Sequence, residues 1–165
     1  MLRIRHKLSM LLFVILLVGC DRVTKEAAVE QLSNGTVVNV VDRAFDLRYA
    51  ENREIAFNLL RVIPDPPRTR LLQVVGTVSI IALGVWFARR RFTSWLEIAS
   101  AGAVLAGAIG NTSDRWIRGY VIDFLHLSYW PIFNVADICV TLGFAGLLLA
   151  HYTRPSRTAS IHPSP

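Results

Sequence analysis

The sequence predicts an all-α integral membrane protein: four transmembrane helices in one domain, with a small β-sheet platform on the outer face between spans 1 and 2. Three observations predict it. The 165-residue chain is 53% hydrophobic and only 18% charged, with a mean hydropathy of +0.42, whereas soluble domains carry about a quarter charged residues. The charges are bunched: residues 8–20, 71–88, 98–113 and 138–153 contain no Asp, Glu, Lys or Arg, giving runs of 13, 18, 16 and 16. Basic residues border these runs, with Arg3, Arg5 and Lys7 before the first, Arg89, Arg90 and Arg91 after the second, and Arg154 and Arg157 after the fourth. That asymmetry places both termini on the cytoplasmic side. The net charge of +6 is therefore a topology signal. A nucleic-acid surface would interleave aromatics with its basic residues, and these clusters do not.

Span 1 covers about residues 8–28. Its apolar run is short for a bilayer of about 30 Å, which needs roughly 20 residues, so the helix continues through Asp21, Thr24 and Lys25. The platform occupies about 32–67. Asn34-Gly35 marks a turn, and residues 36–41 and 45–49 read as short strands. Pro64, Pro66 and Pro67 end it, because proline suits neither a helix interior nor a central strand.

Span 2, about 69–88, stops at the arginine run. Span 3, about 95–113, carries small residues in two stripes, Gly102/Ala106/Gly110 and Ala103/Gly107, which allow close helix contact in lipid. Residues 112–130 read as a second outer loop, and span 4 covers 131–152. Residues 1–153 form the membrane domain, and 154–165 form a polar, disordered cytoplasmic tail.

Ionisable groups inside membrane spans are costly and mark functional sites. Three polar clusters lie at the outer ends of spans. Asn111, Asp114 and Arg115 share one face at the end of span 3. Asn134 and Asp137, three residues apart at the start of span 4, share a face in the same way. Between them, Val121-Ile122-Asp123-Phe124 sets a lone carboxylate among apolar residues, within loop reach of Asp137. Two carboxylates in one apolar site cannot both ionise comfortably. One keeps its proton as an acid while the other acts as base on a water, a pairing that hydrolyses peptides without metal. For any single cluster the plain alternative is a buried Asp–Arg clamp between helices; three clusters at one depth favour a site. No HExxH or P-loop pattern is present.

These blocks, taken in order, resemble the lipoprotein signal peptidases (signal peptidase II), aspartyl proteases of bacterial inner membranes. Asp21-Arg22-Val23-Thr24-Lys25 is similar to the family's DxxTK block, and residues 51–57 to its NxGxAF block. Residues 107–115 resemble GGxxGNxxDR, 121–124 resemble VVDF, and 133–137 resemble FNxAD. One departure stands out: Glu54 replaces the glycine of the second block.

The resemblance implies an endopeptidase that removes the signal peptide of diacylglyceryl-modified prolipoproteins, cutting before the lipidated cysteine. It implies Asp123 and Asp137 as the catalytic dyad, and Asn52, Asn111, Asp114, Arg115 and Asn134 as substrate-binding or supporting residues. Asp21 and Lys25 are structural polar residues that brace the outer sheet. It further implies no metal or cofactor, prolipoprotein and lipid partners, a monomer, and an inner-membrane location with the site toward the periplasm. A divergent non-catalytic paralogue that binds or assembles with lipoproteins is the alternative. Leu17-Val18-Gly19-Cys20 also fits a lipobox. The three later apolar runs favour an uncleaved first helix over that reading.

Overall fold

The computed structural model describes residues 2–53, 64–92 and 94–153. Among these, four helices and three strands follow in the order α1 (Leu2–Leu32), β1 (Val38–Val41), β2 (Phe45–Asn52), α2 (Pro67–Arg89), α3 (Trp95–Arg118), β3 (Val121–Leu127) and α4 (Val135–Tyr152). Glu54 and the tail after Thr153 lie outside the described residues. α2 and α4 are long and apolar enough to cross a membrane.

α3 is the central helix and packs against α1, α2 and α4. The small residues of its stripes are what let its neighbours approach. A Cβ added at Gly107 would press on the Ala136 carbonyl and on Val140 of α4, and one at Gly110 would meet the Asp21 carboxylate of α1. Ser94 caps the start of α3 by accepting from Glu97 N–H, and Gly119 ends it in the left-handed region at φ 80°, where a side chain would be strained.

Three sequence expectations are corrected here. Residues 112–130 are not one loop: α3 runs on to Arg118 and β3 follows at Val121. The sheet is therefore not confined to the segment between the first two helices. It has three antiparallel strands in the order β1-β2-β3, the third supplied from between α3 and α4. The physical reason is that Val121–Phe124 is an apolar, β-branched stretch that pairs with a partner distant in sequence. In addition, α4 begins at Val135 rather than Pro131, because Asn134 is its cap.

The turn into β1 follows the sequence closely. Gly35 takes φ 89°, and the Asn34 side chain accepts from Thr36 N–H at 2.9 Å. Across β2 and β3, Asp46 pairs in register with His126. Arg48 grips the Asp46 carboxyl at 2.6 and 2.7 Å and holds it down at about 2. On β3, Ile122 and Phe124 face a small core with Ala28 and Leu32 at the end of α1. Strand alternation turns Asp123 to the other face. The sheet is thus fixed to the helices in part through β3, and that strand carries a carboxylate.

Candidate active site

Sheet register delivers the first carboxylate. Ala50 lies opposite Asp123, and Val121 opposite Asn52, so Asn52 is the diagonal neighbour of Asp123 on the same face. Its amide accordingly donates to Asp123 Oδ2 at 2.8 Å. After β3 the chain folds straight back. Phe133 N–H donates to the Leu125 carbonyl at 2.9 Å, and the Phe133 carbonyl accepts from Phe124 N–H at 3.0 Å. This return sets Asn134 beside Asp123, and its amide donates to Asp123 Oδ1 at 2.6 Å.

Helix capping delivers the second carboxylate. Asn134 and Asp137 form a capping box: the Asn134 side chain accepts from Asp137 N–H at 3.0 Å, and Asp137 Oδ2 accepts from Asn134 N–H at 3.3 Å. The spacing of three seen in the sequence is therefore a helix start, not a shared helix face. Asp137 stands in the first turn of α4, where a helix N-terminus favours negative charge.

Asn111, from α3, joins the two halves. Its amide nitrogen donates to Asp137 Oδ1 at 2.7 Å. Its oxygen accepts from Asn134 Nδ2 and from Lys25 Nζ, both at 3.1 Å. An ammonium can only donate, so the Asn111 oxygen must face Lys25 and its NH₂ must face Asp137. The same logic fixes Asn134, whose oxygen is taken by Asp137 N–H. Both carboxylates thus belong to one network of oriented amides.

The network opens on a cavity of about 1060 Å³ between the sheet and helices α2, α3 and α4, lined by Asn52, Asn111, Arg115, Asp123 and Asp137 among others. Val75, Gly76, Ala108 and Val140 give it an apolar wall, and Glu51, Arg53 and Arg68 add charge. Arg115 is mostly buried. It donates to the Asn111 carbonyl at 3.2 Å and feels the charges of Asp123 and Asp137. Burial pushes the Asp123 carboxyl up to about 6, against the Asn52 hydrogen bond that lowers it, and the nearby Asp137 charge adds to the rise.

Asp114, Asn134, Asp21 and Lys25 do not line the cavity; they stand behind it. Asn134 is fully buried. Asp114 accepts from Lys25 at 2.9 Å and lies 3.5 Å from Arg118. Sequence reasoning missed the charged lining residues Glu51, Arg53 and Arg68. It also missed that Lys25 touches Asn111. Arg53 pairs with Glu51 at 2.8 Å and its guanidinium lies 5.1 Å over the Tyr120 ring. The one available signal was that Glu51 and Arg53 flank Asn52 directly in the chain.

A family described as Signal peptidase (SPase) II matches residues 13–153 of this chain. A lipoprotein signal peptidase of Chlorobaculum tepidum is 36% identical over 159 residues, covering 86% of this chain and 94% of that protein. One from Halothermothrix orenii is 34% identical over 136 residues, covering 82% and 90%. Among solved structures, a bacterial membrane enzyme at 2.3 Å resolution has a TM-score of 0.78 with 21% identity, covering 94% of both chains. That last likeness concerns the fold.

Proposed function

This chain belongs to the signal peptidase II family, and on that premise we propose that Asp123 and Asp137 are the catalytic dyad of an aspartyl endopeptidase. The chain removes signal peptides from prolipoproteins. The observation that carries the dyad is the amide network: Asn134 and Asn111 tie both carboxylates into one hydrogen-bonded unit facing a single cavity. Asp123, with its raised carboxyl, holds the proton. Asp137, at the helix N-terminus, is the base.

In the reaction, Asp137 takes a proton from water as the water oxygen bonds to the scissile carbonyl carbon. Asp123 gives its proton to the carbonyl oxygen, leaving a neutral gem-diol. The peptide C–N bond then breaks, the nitrogen takes the proton held by Asp137, and a diol hydroxyl returns its proton to Asp123. Asn52 keeps Asp123 turned toward the cavity. Arg115 lines the same cavity and would bind a substrate carbonyl. The scissile bond is the one preceding the diacylglyceryl-cysteine, whose acyl chains remain in the lipid. Asp114, Asp21 and Lys25 support the site from behind.

We read all four helices as spans, with both termini in the cytoplasm of an inner-membrane monomer and the cavity toward the periplasm. The exposed Leu8, Leu11, Leu12, Ile15 and Leu16 along α1 support this reading, since large apolar side chains so disposed face lipid.

Cleavage of a lipidated precursor in nanodiscs tests the dyad. Asp123→Asn and Asp137→Asn should each lower kcat by about a thousandfold, the scale of lost acid–base catalysis, with the protein still folded. Wild-type activity should survive EDTA. Retention of processing by both variants would sink the reading and favour a non-catalytic paralogue.

A further inference from the structure

The catalytic carboxylates sit on two elements that do not touch the membrane bundle in the same way, one on a strand and one on a helix. Something must hold their separation constant. Behind the cavity, Lys25 is 1% exposed. Its ammonium is surrounded by Asp21 Oδ2 at 2.8 Å, Asp114 Oδ2 at 2.9 Å and Asn111 Oδ1 at 3.1 Å, which uses all three of its donors.

Each carboxylate of this cluster also reaches past Lys25 to a backbone N–H. Asp21 Oδ1 accepts from Ala136 N–H at 2.9 Å, and Asp114 Oδ2 accepts from Ile122 N–H at 3.4 Å. Ala136 immediately precedes Asp137, and Ile122 immediately precedes Asp123. The third ligand of the ammonium, Asn111, donates to Asp137 itself. A single buried charge is therefore linked to the chain one residue before each member of the dyad, and to the amide that orients one of them.

We propose that Lys25 is a positioning residue: with Asp21 and Asp114 it fixes the separation of Asp123 and Asp137 and holds the Asn111 amide in its catalytic orientation. This rests on the dyad assignment above. The cluster touches no substrate, because none of its three residues lines the cavity. Its removal should therefore slow the chemical step and leave binding intact. A displacement of about 1 Å at reacting groups can cost on the order of a hundredfold.

The test uses charge-balanced variants in the full chain. Asp21→Asn/Lys25→Met removes one charge of each sign and leaves Asp114 beside Arg118 and Arg22 at 3.5 and 3.8 Å. The new amide oxygen still accepts from Ala136 N–H and Asp114 still accepts from Ile122 N–H, so both backbone anchors stay while the ammonium's contacts to Asn111 and Asp114 are lost. On the folded, monodisperse fraction, kcat for a lipidated precursor should fall about tenfold, with KM within about twofold of the native value. In an Asn111→Ala background the same pair of changes should have a smaller effect on kcat, because the hold on the amide is already gone.

Asp21→Leu/Lys25→Met also strips the Ala136 anchor, using an apolar replacement that buried ion pairs often tolerate. It should lose about a further tenfold in kcat. Native kcat in a folded variant, a loss that resides in KM, or additivity with Asn111→Ala would each overturn the inference. So would failure of both variants to fold, since the cluster would then be a support of the fold alone. If Asp123→Asn and Asp137→Asn remain active, the dyad assignment has failed instead. Inactive dyad variants beside fully active cluster variants refute only the role of Lys25.

Discussion

Asn52 shows how one residue tunes the chemistry. Burial lifts the Asp123 carboxyl to about 6, and the Asn52 amide opposes that lift by donating to Oδ2 at 2.8 Å. A hydrogen bond to the ionised form lowers a carboxyl pKa. As the acid of the proposed dyad, Asp123 serves while protonated, so kcat/KM should fall as pH rises through about 6. Removing the donor in Asn52→Ala makes ionisation harder, so this limb should move to higher pH by on the order of one unit. A pH–rate profile of both proteins checks it; a limb that stays put or moves down rejects Asp123 as the proton donor. Asp123 and Asp137 stand out in the sequence as candidates because carboxylates in apolar surroundings are expensive, and both face one cavity. The reach of Lys25 to Asn111 was not legible there, because it joins residues far apart in the chain and a lysine four residues after an aspartate already has a sufficient partner on its own helix.

Among the elements, α3 carries the fold's tightest contacts, and its glycines differ in what they face. A Cβ at Gly107 would be driven into the Ala136 backbone carbonyl, which is held in the first turn of α4 and cannot retreat. At Gly102 the nearest atoms are Phe13 Cδ1 at 3.2 Å and Met10 Cγ at 3.4 Å, the movable ends of side chains. Overpacking against fixed backbone costs about 1–3 kcal/mol, whereas alanine in place of glycine within a helix can return up to about 1 kcal/mol. Gly107→Ala should therefore lower the melting temperature in detergent, while Gly102→Ala should leave it near native; equal behaviour would refute this account of α3 packing. The sequence showed the small-residue stripes and the first two strands. It hid β3 because the stretch around Asp123 is apolar on both faces, without the alternation that marks a half-exposed strand. Its pairing partner Ala50 is set by tertiary contact, not by a local turn.

At the scale of the whole molecule, charge placement and site placement agree. α2 starts at the cavity, where Arg68 and Leu72 contribute to its lining, and ends at Arg89. Arg90 then pairs with Glu97 at 2.8 Å in the first turn of α3. From there α3 returns to the cavity at Arg115, so the arginine run and the carboxylate pair mark opposite ends of the bundle. The membrane class of the protein was readable from the charge-free runs, and their basic borders predict its orientation, because transfer of arginine across a bilayer is what those borders resist. The depth of the site was not readable, since it depends on how far α3 continues past its apolar run. Orientation in the membrane can be measured directly. In a Cys20→Ser/Cys139→Ala background, Asp42→Cys places a thiol in the exposed β1–β2 turn, and Arg91→Cys places one at the other end. A membrane-impermeant maleimide should label the first in cells with a permeabilised outer envelope and intact inner membrane. It should label the second only after the inner membrane is opened. The reverse pattern would put the cavity on the cytoplasmic side and overturn the proposed orientation.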